Sequence, residues 1–369
     1  MSTDLFAPCR IGKLELRNRF VRSATWDASA DDSGAATDNS VVVYRQLGQG
    51  GVGLIVTGYA FVSPLGQAMN GQYGAHTDDM IPGLRRLVQA AHEGGARIAL
   101  QIVHAGINSH YLPPKGITSL AVSTMESTKT PHREMTDEDI EAIISDFTSA
   151  AMRGREAGFD AVQLHGAHGY LMSQFLSPLF NLRTDKWGGS AENRRRFHLE
   201  VTQKVRQAIG ADFPLLVKLG LQDDSAEGLS LAEGVETARQ MVEKGIDAIE
   251  VSGGVGGSIR TAQEGEPERP YFREQSAALK RVVTVPVIEV GGIRSLEMAQ
   301  SIMDSGDADL ISMCRPLIRE PGLVARWQRG EREPAKCISC NQCFGIVIRG
   351  EPLECAQERR MREEAAASS

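Results

Sequence analysis

The chain has 369 residues, 41% of them hydrophobic and 24% charged, with 40 Lys and Arg against 47 Asp and Glu for a formal charge of −7. That length suits one large barrel or two modest domains, and that balance excludes a basic footprint for nucleic acid as well as a disordered or fibrous chain. The N-terminus MSTDLFAPCR has no basic region followed by an apolar stretch, and no window approaches ~20 apolar residues, so the expectation is a cytoplasmic protein with neither nucleic-acid nor membrane partners.

From Arg19 onward, short β-branched or apolar runs alternate with longer segments of helical period, the pattern of βα units on a parallel sheet. Eight strands are predicted, starting at Arg19 (RFVRSAT), Val52 (VGLIVT), Arg97 (RIALQI), Asp160 (DAVQLH), Pro214 (PLLVKL), Ile246 (IDAIEVS), Val285 (VPVIEVGG) and Ala308 (ADLISM). Helices are predicted over 78–94, 137–158, 193–210, 231–245, 296–306 and 320–330, several closing on glycine and some opening on Ser or Asp. Eight such units predict an α/β protein, a (β/α)8 TIM barrel over residues 1–330. A doubly wound sheet would need a crossover reversal, and the first strand lacks a GxGxxG turn.

Two segments stand outside the repeat. Residues 108–134, rich in Ser, Thr and Pro, are too long for an ordinary βα loop and are expected to form a lid or a small hairpin over the barrel mouth. Residues 331–369 form a tail that carries four of the six cysteines and is expected to end in a frayed run, REEAAASS.

In a TIM barrel the chemistry gathers at the C-terminal ends of the strands, so those ends list the groups facing one cavity. Ser23, Ala24, Thr25 and Trp26 end strand one; Thr57, Gly58 and Tyr59 end strand two; Gln101 and His104 end strand three; His165 and His168 end strand four. Lys218, Ser252, Gly253, Gly254, Gly291, Gly292, Cys314 and Arg315 complete the set. Glycines after strands seven and eight suit a phosphate held by backbone N–H groups, with Arg315 as side-chain clamp, although glycine at a strand-to-helix turn is as often steric. The segment HGAHGYL places two imidazoles and a phenol at i, i+3 and i+5. His165 and His168 can donate to a ligand oxygen and Tyr170 can deliver a proton, whereas a zinc site would want a third ligand and a nearby general-base Glu. Lys218, inside LLVKLGL, must face an anion or the barrel mouth, and Gln101, inside ALQIVHAG, can both donate and accept. A planar heterocycle carrying a phosphate would answer all of these together, which describes FMN.

The runs VQLHGAHGYLMSQFLSPLFNLRTDKWGGSAENRRRF, LFAPCRIGKLELRNRFVRSAT, LQIVHAG and MCRPLIREP resemble the Old Yellow Enzyme family of FMN-dependent ene-reductases, from residue 4 to about 330. The resemblance implies FMN across the barrel mouth, NAD(P)H as its reductant, and hydride delivery to the β-carbon of an activated alkene. It implies that His165 and His168 bind the substrate's carbonyl or nitro oxygen and that Tyr170 protonates the α-carbon, with His165 also among the flavin contacts. Gln101 would bind the flavin ring edge, Lys218 its pyrimidine side, Ser23, Ala24, Thr25 and the backbone around Tyr59 the ring, and Gly291, Gly292, Cys314 and Arg315 the phosphate. Family habit adds a homo-oligomer acting on a small-molecule substrate. Three positions depart from the family: Lys218 replaces an arginine, Trp26 a smaller residue, and Cys314 what is often a glycine.

Cys337, Cys340, Cys343 and Cys355 follow Cx2Cx2Cx11C, a spacing suited to a four-cysteine metal site. The tail resembles that of the dienoyl-CoA reductase and trimethylamine dehydrogenase branch, whose cysteines hold a [4Fe–4S] cluster and whose third interval is typically one residue longer. A cluster, structural zinc and free thiols stay open, and a cluster would call for an electron-donor protein or FMN itself. The leading expectation is an FMN-dependent NAD(P)H oxidoreductase that reduces the C=C bond of α,β-unsaturated carbonyl compounds. Dienoyl thioester reduction, oxidative N-demethylation, and a phosphosugar isomerase or aldolase using Lys218 as a Schiff base are the alternatives.

Overall fold

The computed structural model describes residues 4–256, 261 and 268–367. Its centre is a parallel barrel of eight strands, Phe20–Arg22, Leu54–Val56, Arg97–Val103, Ala161–Gly166, Leu215–Gly220, Ala248–Ser252, Val287–Val290 and Leu310–Met313. Each stands at one of the eight predicted runs. The last pairs back onto the first, with Met313 opposite Arg22, so the sheet closes.

Side chains on a strand alternate between its faces, so the barrel interior is read in steps of two. The lowest layer is apolar, with Val21, Leu54, Ala99, Ala161, Leu216, Ala248, Ile288 and Leu310 in one buried cluster. Two residues further along, six of these strands present Ser23, Gln101, Gln163, Lys218, Glu250 and Ser312, all buried, and the other two keep Val56 and Val290. The barrel therefore changes from hydrocarbon to hydrogen-bonding groups within one step up the strands. Below it, an antiparallel hairpin of Cys9–Ile11 and Leu14–Leu16 adds Ile11, Leu14 and Leu16 to the apolar layer and plugs the lower end. Each such burial contributes about 1.5–3 kcal/mol.

Helices pack outside the strands. Asp137–Ala157 begins at a capping box between Thr136 and Asp139 and ends at Gly158 with φ +93°, a left-handed stop that glycine takes without strain. Ala191–Ile209 starts two residues before the predicted 193 because Ser190 accepts a hydrogen bond from Asn193 N. The predicted helix over 320–330 is shorter, Leu323–Gln328, and is preceded by Arg315–Arg319; Pro321 bars helical geometry at the residue before it and separates the two. Asp38–Gln49 and Arg273–Lys280 fill the two units for which the sequence sets no helix bounds.

Two expectations are corrected. Within 108–134, Ser119–Ala121 and His132–Glu134 pair in parallel, so the segment is a crossover and not a hairpin. Nor does it cover the mouth: buried Arg183 donates to Val122 O at 3.0 Å and Met135 O at 2.8 Å, which ties it to the chain after strand four. The tail does not fray at 362 either. Ala356–Ala367 is helical, with Arg359 bridging Glu351 and Glu354, and only 368–369 of REEAAASS lie outside the described residues. Among the described residues no helix is long and apolar enough to cross a membrane.

Candidate active site

An open cavity at the C-terminal ends of the strands gathers Ser23, Ala24, Thr25, Trp26, Tyr59, Gln101, His165, His168, Tyr170, Lys218, Gly291, Cys314 and Arg315. Gly292 lines an adjoining recess that shares Gly291, Cys314 and Arg315. His104 turns elsewhere: its Nδ1 accepts from Gly106 N at 3.1 Å, and it lies against Gly66.

The turn after strand four brings the three groups of HGAHGYL together. The His165 ring centroid lies 5.1 Å from those of His168 and Tyr170. Ala167 N donates to His165 Nδ1 at 3.4 Å, which leaves the ring proton on Nε2. His168 holds a left-handed φ of +64°, a conformation few non-glycine residues adopt, and its Nε2 lies 2.7 Å from Ser252 Oγ. Burial keeps both imidazoles neutral: it takes His165 well below its usual value, with His168 and Lys218 adding, and takes His168 down to about 3, with Lys218 adding. The Tyr170 hydroxyl donates to the Tyr59 hydroxyl at 3.2 Å, and burial pushes its pKa up, so it keeps its proton. The sequence pointed to Tyr59 for its backbone; the fold adds its phenol.

The floor is a connected polar ring. Lys218 Nζ donates to Ser23 Oγ at 2.8 Å, and Ser23 Oγ and Ser312 Oγ each donate to Glu250 Oε1 at 2.8 Å. Gln163 Nε2 donates to Glu250 Oε2 at 3.0 Å, and Gln101 Nε2 to Gln163 Oε1 at 2.7 Å. Sequence reasoning missed Gln163, Glu250 and Ser312. Their signal is the one that singled out Lys218, a polar residue inside an apolar strand run. Lys218 also pairs with Glu250 at 3.5 Å, so it is anchored and not the free amine a Schiff-base aldolase needs.

These residues fit a flavin. Gln101 Oε1 is buried without a partner among the described residues and lines the cavity, an acceptor waiting for a ring N–H. The glycines answer to packing as well as to any phosphate. Gly291 and Gly292 have φ of +104° and +79°, and a Cβ on Gly292 would lie 1.7 Å from Arg269 O. Arg315 Nη1 donates to Ser339 O at 2.9 Å. Burial raises the Cys314 thiol's pKa, but Arg22, its 3.0 Å contact with Thr25 Oγ1, Arg315 and Lys218 outweigh that and leave it lowered.

The tail roofs the cavity, which Phe344, Val347 and Leu353 line. Trp26 donates from Nε1 to Asn70 O at 3.1 Å and meets Phe344 edge-on at 6.0 Å, so the indole seats the tail. Cys337, Cys340, Cys343 and Cys355 line a separate small cavity. Left-handed backbone at Ser339 and Asn341 wraps the loop around it. Four thiols around one pocket are the donor set that a four-cysteine metal site, cluster or zinc, would use. Arg315, Ile318, Asn341 and Cys343 line both cavities, so the two share a wall.

A family model described as the NADH:flavin oxidoreductase / NADH oxidase family matches residues 4–333. The NADH oxidase of Thermoanaerobacter brockii is 37% identical over 351 residues, 93% of this chain and 54% of that protein. The NADPH dehydrogenase of Geobacillus sp. (strain WCH70) is 37% identical over 325 residues, 87% of this chain and 92% of that protein. A solved structure of 2-naphthoyl-CoA reductase with 2-naphthoyl-CoA superposes with a TM-score of 0.90 at 29% identity, covering 95% of this chain and 56% of that one. The chain thus spans about half the length of the NADH oxidase and the naphthoyl-CoA reductase, and nearly all of the NADPH dehydrogenase.

Proposed function

The chain belongs to the NADH:flavin oxidoreductase / NADH oxidase family, and from that premise we propose that it is an FMN-dependent, NAD(P)H-driven reductase of C=C bonds conjugated to a carbonyl or similar group. The observation that carries this reading is the convergence of His165, His168 and Tyr170 on the cavity whose floor holds Gln101 and Lys218.

FMN, when bound, supplies two-electron chemistry, taking reducing equivalents from NAD(P)H and passing them to an electron-poor alkene carbon. Gln101 Oε1 and the Lys218 ammonium would hold its ring, and the Gly291, Gly292, Cys314 and Arg315 recess its phosphate. The neutral Nε2–H of His165, with His168 beside it, would hydrogen-bond the substrate's oxygen and draw electron density from the alkene. Tyr170, kept protonated by burial, would deliver its phenolic proton to the α-carbon. Phe344, Val347 and Leu353 of the tail would exclude water from the roof.

The four-cysteine cavity favours a second reading within the same family. A [4Fe–4S] cluster held by Cys337, Cys340, Cys343 and Cys355 would lie across a shared wall from the flavin site and would supply single-electron transfer to or from another protein. Reduction of an unsaturated acyl thioester then becomes the substrate class to try beside simple enones, in keeping with the naphthoyl-CoA reductase superposition.

The test is an anaerobic absorbance spectrum of fresh protein before and after NADPH or NADH, with iron and zinc content and turnover of cyclohexenone and of an enoyl thioester. Flavin that bleaches with NAD(P)H and recovers on adding alkene supports the reading, and about four irons per chain support the cluster. Protein that binds no flavin would overturn both.

A further inference from the structure

Glu250 is wholly buried, stands in the same layer as Ser23, Gln101 and Lys218, and does not line the cavity as they do. The mechanism above makes no use of it. A carboxylate taken out of water costs several kcal/mol unless it is paired and hydrogen-bonded, and here both oxygens are engaged. Oε1 accepts from Ser23 and Ser312, Oε2 from Gln163, and Lys218 stands 3.5 Å from Oε1. Burial opposes ionisation, but Lys218 and the three donors outweigh it and hold the carboxyl below its usual range. The pair couples strands five and six directly, since Lys218 and Glu250 are register partners.

The arrangement has an electrostatic consequence. Lys218 lines the cavity and Glu250, beside it on the next strand, does not, so the floor presents the positive end of an ion pair and not a bare cation. A ring that gains negative charge on reduction is favoured by the ammonium and opposed by the carboxylate behind it. Building on the flavin reading above, we propose that Glu250 is a positioning residue that lowers the reduction potential of the bound flavin by neutralising Lys218 and, through Ser23, holding its ammonium in one place.

The experiment is anaerobic equilibration of the holoenzyme with a reference dye, for wild type, Glu250→Gln, Lys218→Met and the double variant. Glu250→Gln is expected to shift the reduced-to-oxidised flavin ratio at a given potential at least tenfold toward reduced, which is about 30 mV for a two-electron couple. Lys218→Met shifts it the other way, and the double variant returns within threefold of wild type. Flavin bound to Glu250→Gln with a ratio within threefold of wild type overturns this inference alone, whereas protein that binds no flavin overturns the proposed function and this inference together. Should Glu250→Gln fail to fold, infrared difference spectra of Lys218→Met decide. A carboxylate deprived of its cation takes up a proton and shows a protonated-carboxyl band absent from wild type, and no such band overturns the pairing.

Discussion

Tyr170 donates to Tyr59 across 3.2 Å at the cavity wall, so the proposed acid has a neutral hydroxyl as its hydrogen-bond acceptor. Tyr170→Phe should leave flavin reduction by NAD(P)H unchanged while slowing alkene reduction by about 10²–10⁴, the range of a lost general acid. Tyr59→Phe, which removes only the acceptor, should cost less than tenfold. Stopped-flow measurement of the two half-reactions separates these effects, and an unchanged alkene rate in Tyr170→Phe would remove it as proton donor.

Because burial keeps His165 and His168 neutral to values far below an ordinary histidine, alkene reduction should show no inflection between pH 5 and 8. His165→Ala should weaken binding of substrate and of a phenol ligand by at least about tenfold, or 1.4 kcal/mol. A pH limb near 6.5 that disappears in His165→Ala would mean that imidazolium, not imidazole, binds the oxygen.

Glu289 sits wholly buried between the seventh strand and the helix Arg273–Lys280, where Ser276 donates to one oxygen and the other has no partner among the described residues. Burial pushes its pKa up to about 7. A folded-state value raised above the unfolded one makes the native state bind the extra proton, so this stability is present at about pH 4 and lost as pH rises through 7. Glu289→Gln should remove that loss and stabilise the protein at pH 8 by up to about 3 kcal/mol. Denaturant unfolding at pH 6 and pH 8 reads it, and equal wild-type and variant slopes with pH would refute it.

The Trp26 and Phe344 rings hold the tail over the cavity. Phe344→Ala should raise kcat/KM for alkenes bulkier than cyclohexenone relative to cyclohexenone itself, at a stability cost of about 1 kcal/mol. An unchanged preference between large and small substrates would show that the roof does not gate access.

The alternation of inward and outward side chains is a local property, so the eight strands, the polar steps at Gln101 and Lys218, and the clustering of His165, His168 and Tyr170 were legible in the sequence alone. What those groups touch was not. Glu250 meets Ser23 across 227 residues of chain, and Ser312 across 62. Strand register and barrel closure decide those partners, and no short pattern encodes them. The same holds for the hairpin that plugs the lower end, for the parallel crossover within 108–134, and for the roof. A long Ser- and Pro-rich loop looks like a lid by composition, yet Arg183 anchors it elsewhere and leaves the mouth to Phe344 and its neighbours. The four cysteines mark their own spacing in sequence, and only the left-handed turns at Ser339 and Asn341 bend that spacing around a common cavity beside the proposed flavin site.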